Sequence, residues 1–300
     1  MSLIFDIKRF AINDGPGIRI TFFFKGCPLS CIWCHNPESI SPKIEKLYTK
    51  SKCIGAQKCV EICPNNALTL TPDGIITDFS NCKLCGLCAE VCPTKAIEMS
   101  GYLKTADEII KIVENERPFF EESGGGVTFS GGEPLLHSQF LIPILKELGE
   151  RGIHRVIDTS GHSSRDTIVE ISKHTDLFLF DLKLTNSEKH SKFTGQKNDV
   201  IISNLKWLSE NGSEIIIRVP LIKGVNANTN SITDIAKLVS SLKGKPKQIN
   251  LLPYHDIAKM KYEKLGGKYS VEDLSCPTDK EIAEFITIFK SYDLSASVGG

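Results

Sequence analysis

Residues 26–38 read Gly26-Cys27-Pro28-Leu29-Ser30-Cys31-Ile32-Trp33-Cys34-His35-Asn36-Pro37-Glu38, with three cysteines spaced C-x3-C-x2-C. Thiolates are soft ligands that suit zinc and iron–sulfur clusters. A structural zinc site closes a tetrahedron with four protein ligands, and no fourth cysteine follows at matching spacing. Three thiolates on a four-iron cluster leave one iron without a protein ligand, a place to bind and reduce something. A zinc knuckle completed by His35, or three unrelated structural cysteines, are the plainer alternatives.

The chain has 300 residues and 11 cysteines. No charged segment followed by an apolar signal stretch opens at Met1-Ser2-Leu3-Ile4-Phe5-Asp6, so a cytosolic location is expected, where thiols serve as metal ligands and not disulfides. Cys276 stands alone before a proline and reads as structural, with no neighbour to lower its pKa. The other seven fall between positions 53 and 92. Cys82, Cys85, Cys88 and Cys92 form a complete C-x2-C-x2-C-x3-C-P run. Cys53, Cys59 and Cys63 repeat that run with Ala56 in place of its second cysteine, and Asn65-Asn66-Ala67-Leu68 answers Thr94-Lys95-Ala96-Ile97. The segment is an internal duplication; a zinc-binding decoration is the bland alternative.

Lys+Arg and Asp+Glu both number 36, which gives no whole-chain reason to expect a nucleic-acid partner. No apolar run approaches the roughly 20 residues of a membrane helix, so no membrane partner is expected either.

From about residue 105 a regular alternation begins. Thr105 and Glu108 form a capping box for a helix. Strands are expected at Val127–Ser130, Arg155–Thr159, Leu177–Leu182, Glu214–Pro220 and Gln248–Leu252, after an earlier one at Ile18–Phe24 and before a short last one at Leu294–Val298. Helices are expected at His137–Glu150, Arg165–Lys173, Val200–Asn211, Ile232–Leu242 and, capped by Thr278 and Glu281, to about Lys290. Such repetition demands a parallel sheet, either a barrel or an open doubly wound sheet. In both, ligands sit at the carboxyl ends of the strands. Those ends carry Gly131, Gly132 and Glu133, then Asp158, then Asp181 and Lys183. Arg218 is a cation inside the apolar run Ile215–Pro220, able to pair with a ligand carboxylate, and His255 follows the strand ending near Leu252.

Cys27, Cys31 and Cys34, with Trp33 before the last of them, resemble the signature of the radical S-adenosylmethionine (SAM) superfamily. Asp14-Gly15-Pro16-Gly17-Ile18-Arg19 and Cys34-His35-Asn36-Pro37 are similar to the activating enzymes of glycyl radical enzymes. That resemblance implies a partial (β/α)6 TIM-like barrel, open on one side: residues 1–47 and 101–300 form the radical SAM core, and residues 48–100 an inserted ferredoxin-like domain. It implies a 4Fe-4S cluster with an open iron on Cys27, Cys31 and Cys34. SAM is then contacted by Trp33, Asn36, Gly131, Gly132, Glu133, Asp158, Asp181, Lys183, Arg218 and His255, and a monovalent cation sits between the aspartate strands. The duplicated insert resembles bacterial two-cluster ferredoxins, in which the fourth cysteine of each run ligates the other cluster. Carried over, Cys63, Cys82, Cys85 and Cys88 hold one cluster and Cys53, Cys59 and Cys92 the other. Without a cysteine at Ala56, that second cluster is expected as a three-iron species, a labile one, or one completed by water or a side chain.

The implied reaction is reductive cleavage of SAM to a 5′-deoxyadenosyl radical that abstracts hydrogen from a glycine of a partner enzyme. Pyruvate formate-lyase activase lacks such an insert, so a dehydratase, decarboxylase or lyase is the expected partner, with a flavodoxin- or ferredoxin-type electron donor. Asp14–Gly17 is either a contact for the partner's glycyl loop or a plain Gly-Pro turn. The competing classes are a radical SAM enzyme acting on a small molecule or peptide, and an iron–sulfur electron carrier.

Overall fold

The computed structural model describes residues 1–245, 247–256, 258–267 and 274–299. Its strands, in chain order, are β1 (Ser2–Ala11), β2 (Arg19–Phe24), β3 (Glu45–Tyr48), β4 (Leu68–Thr71), β5 (Gly74–Thr77), β6 (Ile97–Ser100), β7 (Tyr102–Lys104), β8 (Gly126–Gly131), β9 (His154–Thr159), β10 (Leu177–Asp181), β11 (Ile215–Leu221), β12 (Gln248–Pro253) and β13 (Ser295–Val298). Nine of them form one sheet in the order β13-β12-β11-β10-β9-β8-β2-β1-β7. From β2 to β13 every neighbouring pair is parallel. β1 runs antiparallel to β2, and β7 antiparallel to β1.

That order separates the two architectures the alternation allows. A doubly wound sheet reverses direction at a switch point; here the parallel strands are added one after another in a single direction. Right-handed crossovers then place the connecting helices on one face and curl the sheet as in a barrel. Six strand–helix units result, using the helices Ala106–Asn115, Ser138–Glu150, Arg165–Ser172, Asp199–Glu210, Thr229–Ser240 and Asp279–Lys290.

Strand periodicity of two sorts the side chains. Val127, Phe129, Ile157, Phe178, Phe180, Ile217 and Val219 face the helices in the main core. On the opposite, concave face lie Val156, Leu177, Leu179 and Ile216, a small apolar cluster towards the strand starts. The same face carries Ser130, Asp158, Asp181 and Arg218 towards the strand ends.

Both expected capping boxes form. Glu108 N donates to Thr105 Oγ1 at 3.2 Å and Thr105 N to Glu108 Oε2 at 2.8 Å; Thr278 and Glu281 repeat the exchange at 2.7 and 3.3 Å. β1 is not announced by the sequence pattern, because Asp6, Lys8 and Arg9 interrupt its alternation where it runs exposed near the sheet edge. The helices Arg117–Ser123, Ser187–Thr194 and Ala258–Lys264 are short and offer too little apolar 3.6-residue period to be read.

Between β2 and β7 the chain leaves the sheet. β3 and β6 pair antiparallel, Glu45 opposite Ser100 and Tyr48 opposite Ile97, and β4 and β5 make a hairpin. Buried Lys25, just past β2, donates to Glu45 Oε2 at 2.9 Å and ties the root of this segment to the sheet. Among the described residues no helix is long and apolar enough to cross a membrane.

Candidate active site

The three-cysteine loop is held by backbone bonds from three directions. Gly26 N and Cys27 N donate to Ser39 O and Ile40 O at 2.7 and 3.1 Å; Ser30 N and Ile32 N donate to Thr194 O and Phe193 O at 2.8 and 3.1 Å. From the end of β8, Gly132 N donates to Phe24 O and Glu133 N to Gly26 O, both at 2.8 Å. This docking explains the Gly131-Gly132 pair. A Cβ on Gly131 would lie 2.2 Å from Phe24 N, at a φ of +116° that side chains rarely adopt; one on Gly132 would lie 2.2 Å from Gly26 O. The glycines let the strand end meet the cysteine loop, and both also line the cavity beside it.

That cavity has a volume of about 310 Å³ and opens at the carboxyl ends of the parallel strands. Cys27, Cys31, Trp33, Cys34 and Asn36 line it from the loop, Gly131 and Gly132 from β8, and Asp158, Asp181, Lys183 and Arg218 from β9 to β11. Among the described residues no set of three or more His, Cys, Asp and Glu side chains converges on a single-ion point. Convergence is not what a cluster needs, since each of its thiolates binds a separate iron. Burial pushes the thiols of Cys27 and Cys31 up to about 12 and that of Cys34 to about 11, with Lys183 pulling all three the other way. Thiolates in so dry a place require cationic partners, which iron supplies.

The charged residues form one network. Arg218 Nη1 lies 3.3 Å from Asp158 Oδ2, Arg218 Nε 3.6 Å from Asp181 Oδ1, and Lys183 Nζ 2.7 Å from Asp181 Oδ2. Ser130 Oγ donates to Asp158 at 2.6 Å. Burial raises the Asp158 carboxyl to about 6 against the pull of Arg218. Burial works against the Asp181 carboxylate as well, yet Lys183 and Arg218 hold it below the usual aspartate range. Arg218 Nε and Nη1 and Asp181 Oδ1 are buried without a hydrogen-bond partner. These atoms face one another only at ion-pair distance, so the wall holds a guanidinium and two carboxylates with loose geometry, beside three thiols fit for a cluster.

Two of the expected contact residues are not among those lining the cavity. Glu133 is fully buried and its carboxylate is occupied by the β9 loop, accepting from Thr159 Oγ1 (2.6 Å), Ser160 N (2.9 Å) and Ser160 Oγ (2.6 Å). It fastens β8 to β9 and does not line the cavity. His255 is exposed and also off the lining; its neighbour Tyr254, 5% exposed, takes the cavity wall instead. Period two from Leu252 places Tyr254 inward and His255 off that face, a signal legible in the sequence. Asp14 reaches the cavity from the turn after β1, held by Thr21 Oγ1 at 2.8 Å, while Arg19 braces the same turn through Pro16 O at 2.8 Å. Lys261, not singled out in the sequence, donates to Asn36 Oδ1 and pairs with Glu38, both at 2.7 Å.

The seven cysteines of the 53–92 segment divide between two further cavities. One is lined by Cys63, Cys82, Cys85 and Cys88 together with Lys46 and Met99. The other is lined by Cys53, Cys59 and Cys92 together with Ala56.

The family model of the radical SAM superfamily matches residues 80–236, that of a 4Fe-4S dicluster domain residues 52–96, and that of a 4Fe-4S single cluster domain residues 13–70. The trans-4-hydroxy-L-proline dehydratase activating enzyme of Clostridioides difficile is 40% identical over 300 residues, spanning 99% of both chains. The choline trimethylamine-lyase activating enzyme of Oleidesulfovibrio alaskensis is 36% identical over 99% of this chain and 97% of its own. The crystal structure of a domain of pyruvate-formate lyase-activating enzyme from Bacteroides vulgatus aligns with a TM-score of 0.51 and 39% identity, covering 59% of this chain and 99% of that domain. The chain belongs to the radical SAM superfamily and, within it, to the activating enzymes of glycyl radical enzymes.

Proposed function

We propose that the cavity at the strand ends is where this activase cleaves SAM and presents the radical to its partner. The observation that carries this reading is the meeting, in one cavity, of three cysteines, Cys31 buried and Cys27 and Cys34 half-buried, with the ion-paired Arg218, Asp158, Asp181 and Lys183. Cys27, Cys31 and Cys34 would hold the cluster, which when bound would supply the electron for reductive cleavage of SAM. Arg218 Nε and Nη1 bind the carboxylate of SAM. Lys183, fixed by Asp181, balances the charge of the thiolates. Trp33, Tyr254, Leu29 and Ile222 wall the cavity with apolar surface and exclude water from the radical. Asn36 is oriented by Lys261. A monovalent cation between Asp158 and Asp181 would have Asp181 Oδ1, which makes no hydrogen bond, as its support and Arg218 as its competitor.

Residues 48–100 form an iron–sulfur insert between the two parts of the core. One cluster is assigned to Cys63, Cys82, Cys85 and Cys88, the other to Cys53, Cys59 and Cys92, in keeping with the two cavities they line. Lys46 and Met99 are opposite each other near the root of the β3–β6 ladder, and Tyr48 and Ile97 at its far end. The four-cysteine cavity is lined from the root pair and so lies on the side of the core. A cluster held by Cys53, Cys59 and Cys92 would then be the one offered to a flavodoxin- or ferredoxin-type electron donor. The partner is a glycyl radical dehydratase, decarboxylase or lyase; the two activating enzymes described above are named for a dehydratase and a lyase.

The test is anaerobic reconstitution followed by a low-potential reductant and SAM, with 5′-deoxyadenosine measured in the presence and absence of synthetic peptides carrying glycyl radical loop sequences. Product stimulated by one peptide is expected and points to the partner. Product that no peptide stimulates overturns the partner assignment, and no product at all overturns the assignment of the site.

A further inference from the structure

The two halves of the insert repeat each other in backbone as well as in sequence. Left-handed residues fall at Gly55 (φ 70°), Gln57 (57°) and Asn66 (47°) in the first half, and at Leu84 (52°), Gly86 (84°) and Lys95 (52°) in the second. The turns close on matching bonds. Val60 N to Gln57 O and Ala89 N to Gly86 O are both 2.8 Å; Cys63 N to Val60 O and Cys92 N to Ala89 O are both 3.3 Å. Ala67 N and Ala96 N donate to Cys63 Sγ and Cys92 Sγ at 3.3 and 3.2 Å. Ala56 thus occupies the place of Cys85 in a loop that has kept the shape needed to present a thiol, and it lines the cavity of Cys53, Cys59 and Cys92.

The place matters because of where it faces. Of the seven insert thiols Cys85 alone is exposed, and residues 54–58 are exposed throughout. The missing ligand is therefore at the corner of the cluster that solvent reaches. A Cβ on Gly55 would meet nothing within 4 Å, so the approach is open. The Tyr48 hydroxyl accepts from Ile75 N at 2.9 Å and also hydrogen-bonds Cys53, so it is engaged by the β5 backbone and by a neighbouring thiol. Lys58 lines the same cavity and brings a positive charge to it.

We propose that the iron at the Ala56 corner is retained and takes its fourth ligand from solution, a small anionic thiolate. The proposal rests on the assignment of Cys53, Cys59 and Cys92 to one cluster. Cluster iron prefers soft donors, the methyl side chain of Ala56 leaves the space of the absent sulfur, and Lys58 favours an anion there. Exchange of solvent for thiolate changes no oxidation state, so the ligand tunes the cluster without consuming a reductant.

The experiment uses the full chain, loaded anaerobically and saturated with SAM so that the open iron of the Cys27/Cys31/Cys34 cluster is covered. 2-Mercaptoethanol is titrated in and the clusters are followed by electron paramagnetic resonance and Mössbauer spectroscopy. One cluster is expected to shift saturably in the wild type. Ala56→Cys is expected to carry the shifted spectrum without added thiol and to respond to none. A wild-type insert that holds a three-iron cluster even with iron and thiol in excess overturns the proposal, as does an equal thiol response in Ala56→Cys. Should that variant fail to load, the saturable response of SAM-saturated wild type decides alone, its absence overturning the proposal. Cys53→Ala tests the underlying assignment separately. If it keeps every cluster, the assignment fails; if it loses one while wild type ignores thiol, only the exchangeable corner fails.

Discussion

Arg218 lies inside an apolar strand because two carboxylates, Asp181 on the adjacent β10 and Asp158 on β9 beyond it, meet it there. Asp158 and Asp181 compete for its charge, and Lys183 tips the competition: Asp181 is held ionised while burial lifts Asp158 to about 6. A carboxyl raised in the folded state favours folding while protonated, fully so below its ordinary value of 3.8, and that contribution is lost as pH rises through about 6. Asp158→Asn should therefore flatten the fall in thermal stability of the cluster-free protein between about pH 4 and 7, read as a difference from wild type; parallel pH curves would rule out the raised carboxyl. At this scale the sequence was legible for charge and ambiguous for aim. Glu133 and His255 are the right residue types at strand ends. A carboxylate flanked by Thr159 and Ser160 hydroxyls closes on them, however, and a half-turn of strand decides that Tyr254 and not His255 faces the cavity.

At the scale of elements, the Gly131-Gly132 turn is a packing device before it is a ligand site. Gly132→Ala pushes a methyl against Gly26 O and Ser39 O, an overpacking cost of about 1–3 kcal/mol concentrated on the cysteine loop. The expected outcome is loss of the Cys27/Cys31/Cys34 cluster and of SAM cleavage with the insert clusters retained, measured by iron content and Mössbauer spectra; a fully loaded variant would show that the loop does not depend on this contact. In β3, Lys46 is buried and its ammonium faces the cavity of Cys63, Cys82, Cys85 and Cys88. A cation beside a cluster stabilises the added electron. Lys46→Met should lower the reduction potential of that cluster and leave the SAM cluster's unchanged, in a titration followed by electron paramagnetic resonance. Helix starts were legible where a capping box announced them, as at Thr105; replacing that threonine by alanine should cost about 1 kcal/mol in denaturant unfolding. The helix Ser187–Thr194 escaped because its buried face is His190 and Thr194, not an apolar stripe.

At the scale of the whole molecule, the chain joins a sequentially ordered parallel sheet to a duplicated cluster module grafted between β2 and β7. If the two carry separate functions, Cys31→Ala should abolish 5′-deoxyadenosine formation while leaving most of the insert iron in place; SAM cleavage surviving that change would overturn the site. The cysteine spacings, the alternation of strands and helices and the charges at strand ends all lie in the sequence by itself. They determined the family, the cluster chemistry and a parallel α/β fold, because ligand spacing and hydrophobic period are local properties. Tertiary structure alone decided the direction in which strands are added, and with it the choice of a barrel-like curve over a doubly wound sheet. It also decided which polar side chains spend their hydrogen bonds on the fold and which keep them for a ligand. Glu133 and Arg218 look alike in sequence, each a charge in an apolar setting. One is saturated by neighbours 26 and 27 residues away, and the other meets its carboxylates at ion-pair distance with two nitrogens that make no hydrogen bond. Hydrogen-bond saturation is settled by contacts between distant segments, and no local pattern reports it.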